Sequence, residues 1–219
     1  MSLETSEIAA LRESYTQGGL AKEDLHKDPI KQFSAWLEDA LQAGLKEPNA
    51  MSLATVSSGG QPSVRTVLLK GLDERGFRFF TNYRSQKGSE LDMNPKAGLS
   101  FLWLELERQV NIEGVVEKVS RVESEEYFLS RPYFSQIGAW VSEGQSGVIS
   151  DRSFLEERER DLVQRFPEKS GVDLPDFWGG YLLRPYRIEF WQGRVSRLHD
   201  RLSFRLQDDQ SWIVERLSP

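Results

Sequence analysis

The residues best suited to chemistry lie near the C-terminal end of the chain. In Phe190-Trp-Gln-Gly-Arg-Val-Ser-Arg-Leu-His-Asp-Arg201, one of only two histidines, His199, stands between Arg197 and Arg201. These three side chains fall at every second position, so an extended segment would put them on one strand face. Like charges stacked on one face are unfavourable unless an anion lies opposite. In a chain of net charge -6, that anion could be a ligand with a phosphate or an electron-rich ring. Pairing with Asp200 and Glu189 explains the same spacing equally well. Val195, Leu198 and Leu202 do not fit one simple face, which predicts a turn or bulge near Gly193.

Other constellations suit anions. Arg65-Thr-Val-Leu-Leu-Lys70 reads as a strand with a cation near each end, and parity puts Arg65 and Lys70 on opposite faces. Phe80-Thr-Asn-Tyr-Arg-Ser-Gln-Lys87 runs from a strand end into a helix start. Free backbone N–H groups, the helix dipole and Lys87 together make a phosphate site there. Tyr127 and Arg131 are four apart and would stack on one helix face, with Pro132 breaking the helix and Ser135 following. Arginine matches phosphate bidentately. Each of these segments reads as readily as an ordinary strand or helix end with solvated charges. Gln145-Ser146 in a Gly-flanked loop and Gln109 at a strand start are not distinctive by themselves. There is no convincing Ser/His/Asp order and no glycine-rich nucleotide loop. The many carboxylates read as solvated helix faces, which leaves paired-acid hydrolysis unsupported.

Composition narrows the classes further. The chain has no cysteine, so disulfides, thiolate nucleophiles and Cys-based zinc or iron–sulfur sites are excluded. His26 and His199 are far apart, which makes a His-rich metal site improbable and predicts no metal. The acidic balance argues against nucleic acid as the main partner. No apolar run reaches membrane-spanning length and the N-terminus lacks a secretory pattern, so a cytoplasmic protein with no membrane partner is expected.

The elements that must position these residues follow from periodicity. At 219 residues with 38% hydrophobic content, the chain is long enough for one domain with a real core, spanning 1–219 with an N-terminal helical segment over about 1–45. Residues 4–15 read as a short helix stopped by Thr16-Gln-Gly-Gly19. Asp28-Pro29 starts a second helix with the stripe Phe33, Trp36, Leu37, Ala40 and Leu41. Beyond Ala50 the period changes to two, and strands are predicted over 51–56, 64–69, 77–81, 97–104, 109–119, 186–191, 202–206 and 212–216. Helices are predicted over 85–93, 123–130 and 153–165, and loops over 144–147 and 168–175. Many short strands with added helices predict a mainly β, α+β barrel or sandwich rather than a doubly wound sheet.

Taken together and in order, these segments resemble the pyridoxine/pyridoxamine 5'-phosphate oxidase family. The motifs that carry the resemblance are Arg65-Thr-Val-Leu-Leu-Lys70, Glu107-Arg-Gln-Val110, Ser130-Arg-Pro132, Ser135-Gln-Ile-Gly-Ala139, Phe177-Trp-Gly-Gly180, Ile188-Glu-Phe-Trp-Gln-Gly193 and Arg197-Leu-His-Asp-Arg201. The resemblance implies an FMN-binding split β-barrel, a homodimer with two sites at the subunit interface, and noncovalent FMN. It implies oxidation of pyridoxine or pyridoxamine 5'-phosphate to pyridoxal 5'-phosphate, with oxygen taking the electrons to give hydrogen peroxide. Carried over by position, Arg65, Lys87 and Ser146 would hold the FMN phosphate, with Gln86 and Gln145 beside them. Thr66, Val67, Leu68, Leu69, Lys70, Phe80, Thr81, Gln109, Trp191 and Arg201 would line the rest of the flavin. Lys70, Tyr127, Arg131 and Ser135 would grip the substrate phosphate. Arg197, Leu198 and His199 would face its ring, Arg197 and His199 as the catalytic pair. Arg12 and Tyr15 would belong to a lid. Gln86 stands where many members carry Arg, Glu47 where some carry Asp, and Gly144 is an apparent insertion. A flavin reductase on the same barrel, or a protein that stores FMN or pyridoxal phosphate, would use much of the same framework.

Overall fold

The computed structural model describes Tyr15 and residues 18–219. The helix predicted over 4–15, and Arg12 with it, lies outside the described residues except for Tyr15. The described chain holds α1 (Pro29–Gln42), β1 (Ala50–Val56), β2 (Pro62–Leu68), β3 (Gly71–Asp73), β4 (Gly76–Asn82), α2 (Gln86–Met93), β5 (Lys96–Trp103) and β6 (Arg108–Lys118). Then come α3 (Arg121–Ser130), α4 (Tyr133–Val141), α5 (Ser153–Arg165), β7 (Trp178–Gln192), β8 (Asp200–Leu206) and β9 (Trp212–Arg216). The sheet order is β2-β1-β5-β6-β7-β4-β3, with β8 on β7 and β9 on β8. Among the described residues no helix is long and apolar enough to cross a membrane.

The long strand β7 organises this order. Residues Trp178 to Leu183 pair antiparallel with β4, and Arg187 to Gln192 pair antiparallel with β8. Pro185 falls between the two pairings. It has no N–H to donate, so it suits a point where a strand changes partners. The sequence reading found only the second half of β7 and missed β3 and α4. The first half of β7 contains Gly179 and Gly180, which break the strand pattern. Helix α4 follows Pro132, which reads as a breaker but sits here at its N-cap.

The contacts divide the chain into two compact units. The first comprises the described residues up to Pro48, with Phe101–Asn111 and Arg187–Pro219. In it, Asp28 caps α1 by accepting the Ile30 N–H at 2.8 Å, with Pro29 at the first helical position. The α1 stripe buries Phe33, Trp36 and Ala40 as expected, but Leu41 lies at its edge and is exposed. Phe33 packs edge-on to Phe101, Trp36 to Phe190, and Phe190 to Phe204. Burial of each such ring contributes roughly 1.5–3 kcal/mol. The Trp103 indole N–H donates to the Pro48 carbonyl at 2.9 Å.

The second unit comprises Asn49–Ser100 and Ile112–Tyr186. Strands β1 and β2 pair so that Leu53 faces Arg65 and Thr55 faces Ser63. Ser85 caps α2, its hydroxyl accepting the Gly88 N–H at 3.3 Å. A Cβ at position 88 would lie 2.1 Å from the Tyr83 carbonyl oxygen, so only glycine lets α2 start this close to the end of β4. Helices α3, α4 and α5 share a core of Phe128, Ile137, Leu162, Phe166, Phe177 and Trp178. Trp103 and Trp178 are buried and Trp140 is half-buried, while Phe134 is exposed. Their indoles find backbone acceptors or apolar neighbours that a linear reading does not show.

Candidate active site

The second unit contains a cavity of about 440 Å³ lined by Arg65, Thr66, Val67, Leu68, Lys70, Phe80, Thr81, Lys87, Tyr127, Arg131, Gln145 and Trp178. This volume suits a small ligand or part of a cofactor. Strand β2 ends at Leu68 and the chain turns, the Lys70 N–H donating to the Arg78 carbonyl. Strand parity therefore does not extend to Lys70. Arg65 and Lys70 line the same cavity rather than opposite faces.

Arg65 and Lys87 form one cationic group. Lys87 is buried, and its Nζ donates to the hydroxyls of Thr81 at 3.2 Å and Ser85 at 3.3 Å. Burial, and then the charge of Arg65, push the Lys87 ammonium below its usual value, while Glu90 acts the other way. The Arg65 guanidinium donates to the Leu53 and Ser63 carbonyls at 3.2 Å, to the Thr55 hydroxyl at 2.5 Å and to the Ser63 hydroxyl at 2.6 Å. Glu90 lies behind it, with Oε2 at 3.4 Å from Arg65 Nη2. The reading of carboxylates as solvated helix faces missed Glu90, which is 5% exposed. Its position four residues after Gln86 and three after Lys87 on one helix was the available signal.

Arg131 belongs to a second group. It follows α3 and lies over the Trp178 ring, 4.7 Å from its centroid. Its Nη1 is buried with no hydrogen-bond partner among the described residues. Burial pushes the guanidinium below its usual value, with Tyr127 opposing. Phe80 stacks on Tyr127 at 3.9 Å and on Trp178 at 5.6 Å. The motif Phe177-Trp-Gly-Gly180 makes this stack possible. A Cβ at Gly180 would come within 2.7 Å of the Phe80 ring, and one at Gly179 within 2.1 Å of the Tyr83 hydroxyl. Arg121 holds the chain at Trp178 by donating to its carbonyl at 2.8 Å.

Not every expected residue reaches this cavity. Leu69 is buried, its N–H donating to the Asn49 carbonyl, so it does not line the wall. Gln86 turns its amide to Glu90 at 2.9 Å, and its backbone N–H donates to the Ser146 hydroxyl at 3.3 Å. Gln86 and Ser146 line an adjoining depression with Arg84 and Glu143. Asn82 donates to the carbonyls of Ser142 at 2.7 Å and Glu143 at 2.9 Å, which brings the following loop and Gln145 to the cavity. Ser135 is on the first turn of α4 and is not in the lining.

The C-terminal motif lies in the first unit and is not one strand face. Strand β7 stops at Gln192, Val195 to Arg197 form a 3-10 turn, and β8 starts at Asp200. Ser196 and Arg197 have φ of 57° and 61°, a left-handed conformation that costs about 1 kcal/mol or more per non-glycine residue. The turn near Gly193 was expected; the shared face of Arg197, His199 and Arg201 was not obtained. Arg201 pairs with Glu189 at 2.7 and 3.1 Å, across from Trp191 in the β7–β8 ladder. His199 packs against Trp191 at 4.7 Å and Tyr15 at 5.4 Å. Its Nδ1 accepts the Arg194 N–H at 3.1 Å, so the neutral ring carries its proton on Nε2. Leu198 is 69% exposed, without the core contact its type would favour. Gln109 lies in β6 within the same unit.

This architecture is matched among solved structures. A structure of PhzG from Burkholderia lata 383, in complex with tetrahydrophenazine-1-carboxylic acid, superposes with a TM-score of 0.86 at 29% identity, covering 94% of this chain and all of that one. A pyridoxamine 5'-phosphate oxidase-related, FMN-binding protein from Nostoc punctiforme superposes at 0.67 with 19% identity, covering 85% of this chain and 97% of that one. The fold is thus the α+β split β-barrel of this class of proteins. Residues 37–159 match the family model described as pyridoxamine 5'-phosphate oxidase, and residues 178–219 match that of the pyridoxine 5'-phosphate oxidase C-terminal dimerisation region. Pyridoxine/pyridoxamine 5'-phosphate oxidase of Rippkaea orientalis is 54% identical over 97% of this chain and all of that protein. That of Cupriavidus taiwanensis is 53% identical over 98% of this chain and all of its own length. The chain belongs to the pyridoxamine 5'-phosphate oxidase family.

Proposed function

We propose that the protein binds FMN noncovalently and oxidises pyridoxine or pyridoxamine 5'-phosphate to pyridoxal 5'-phosphate. Oxygen is the acceptor and hydrogen peroxide a product; the amine substrate also consumes water and releases ammonia. The observation that carries this reading is a pair of cations in one cavity, the buried Lys87 bonded only to hydroxyls and the half-buried Arg131 with a buried, unpartnered Nη1. A buried charge is costly without a counter-charge, and two phosphates, one from cofactor and one from substrate, would supply it. The donor set fits FMN: Arg65 and Lys87 would hold its phosphate, and Val67, Leu68 and Gln145 would line its body. Bound FMN would accept the hydride and pass the electrons to oxygen.

The protein's own groups bind and orient. Lys70, Tyr127 and Arg131 would take the substrate phosphate, Arg131 by a bidentate contact. Arg197 and His199 would contact the substrate ring, and the tautomer set by Arg194 makes His199 Nε2 a donor to an acceptor atom rather than a base. Relatives of about 54% identity bearing the oxidase name support the substrate class, as does the dimerisation-region match for a homodimer. The PhzG likeness favours a second reading, in which a carboxylated ring takes the place of the phosphorylated one. One experiment separates them. The purified yellow protein should bleach anaerobically with pyridoxine 5'-phosphate and yield hydrogen peroxide when air returns. A flavin that stays oxidised with that substrate would sink the first reading.

A further inference from the structure

We propose that Glu90 is a charge-balancing residue: it offsets the cations Arg65 and Lys87 when flavin is absent and opposes the cofactor's phosphate when that binds. The inference rests on the FMN reading above and goes beyond it, because Glu90 does not line the cavity. It sits on α2 one turn beyond the Ser85 cap, and both of its oxygens are engaged. Oε2 receives the Ser63 hydroxyl at 2.6 Å, the Thr55 hydroxyl, and Arg65 Nη2 at 3.4 Å. Oε1 receives the Gln86 amide at 2.9 Å. Burial opposes its ionisation, but the Ser63, Thr55 and Gln86 hydrogen bonds and the Arg65 charge bring its carboxyl down to about 2. It is therefore an anion at any working pH.

A buried cation, Lys87, beside a half-buried one, Arg65, is favoured by such a partner when no ligand is bound. A phosphate carries about -1.5 to -2 charges near neutrality and competes for the same guanidinium. The bond to Glu90 is the longest that Arg65 makes, at 3.4 Å against 2.5–3.2 Å for the others. It is the contact most easily released. The Leu53 and Ser63 carbonyls and the Thr55 and Ser63 hydroxyls keep the guanidinium in place without it. Glu90 thus contributes repulsion toward the phosphate more than alignment of Arg65. The charge balance agrees: Arg65 and Lys87 with Glu90 leave one net positive charge, and without Glu90 they leave two.

The test is flavin binding to the apoprotein, followed by quenching of flavin fluorescence, with FMN and with riboflavin, which lacks the phosphate. Glu90→Gln should bind FMN about tenfold more tightly, the size expected from removing one nearby like charge, and riboflavin unchanged. Its flavin-free form should melt lower than wild type, and FMN should raise its Tm more than it raises that of wild type. Glu90→Asp keeps the charge but withdraws it by one methylene, and should shift FMN affinity in the same direction by less. This variant carries the test if Glu90→Gln does not fold. Equal or weaker FMN binding by the folded variants would overturn the proposal, as would equal tightening of FMN and riboflavin. A wild-type protein that binds neither flavin would overturn the FMN reading itself, and this inference with it.

Discussion

Arg65 shows how one side chain is placed for an anion. Four neutral oxygens and one carboxylate hold its guanidinium at the cavity wall. Arg65→Ala is expected to weaken FMN binding by about 1.5–3 kcal/mol, the range for hydrogen bonds to charged groups. Fluorescence titration measures this, and unchanged affinity would remove Arg65 from the site. Arg197 and His199 make a separate prediction, because neither lines the Arg65 cavity. Arg197→Met should slow flavin reduction while leaving FMN content intact, since small losses of orientation can cost about 100-fold. His199→Asn should do so more mildly, because it removes only the Nε2 donor. Anaerobic stopped-flow at saturating substrate reads both rates, and normal rates in both variants would end the catalytic reading of this segment.

At the scale of elements, α3 illustrates how the sheet and helices are joined beside the cavity. Ser120 and Glu123 form a reciprocal cap, the Ser120 hydroxyl accepting the Glu123 N–H and the Glu123 carboxylate accepting the Ser120 N–H, both at 3.1 Å. The same carboxylate reaches Arg75 at 2.9 Å and Arg78 at 3.4 Å. The Arg75 hydrogen bond, then those from Ser120, bring Glu123 down to about 2 from 4.5. A carboxylate lowered on folding contributes stability that is fully present above its unfolded value and is lost as pH falls through its folded value. Acid unfolding should therefore steepen from about pH 4.5 down to about 2. Glu123→Gln preserves the cap pattern but lacks the charge, so its stability should fall less over that range. Urea midpoints measured at each pH would show it; parallel curves would assign the acid sensitivity to other carboxylates.

For the whole molecule the expectation is a homodimer. Trp103, Trp140 and Trp178 do not supply an exposed aromatic surface for it, because two are buried and one is half-buried. Its support is instead the match of residues 178–219 to a dimerisation region and a set of exposed aliphatic side chains that includes Val64, Leu102 and Leu104. Apolar surface of this kind is usually covered when it is contiguous. Sedimentation equilibrium should give about twice the 25.2 kDa chain mass. A monomer with full flavin occupancy would contradict a site that needs two subunits.

Much of the framework was legible in the chain itself. The Asp28-Pro29 helix start, the Ser85 cap, the period-two strands and the ordered motifs that mark the family are local patterns, and local patterns survive folding because backbone hydrogen bonding and side-chain spacing set them. The cationic residues were identified individually for the same reason. Their grouping was decided by tertiary structure. Lys70 joins Arg65 in one cavity because β2 ends two residues before it, and Leu69 turns away into the core. The first half of β7 becomes a strand because Gly179 and Gly180 admit Tyr83 and Phe80, an advantage visible only when those rings are in place. Arg197 and His199 left their common face because the chain turns between β7 and β8. Glu90 reads as a solvated acid in sequence and is buried behind Arg65 in the fold. Its partners Thr55 and Ser63 come from two strands far from it in the chain, and burial, which gives its charge consequence, is a property of the packed molecule alone.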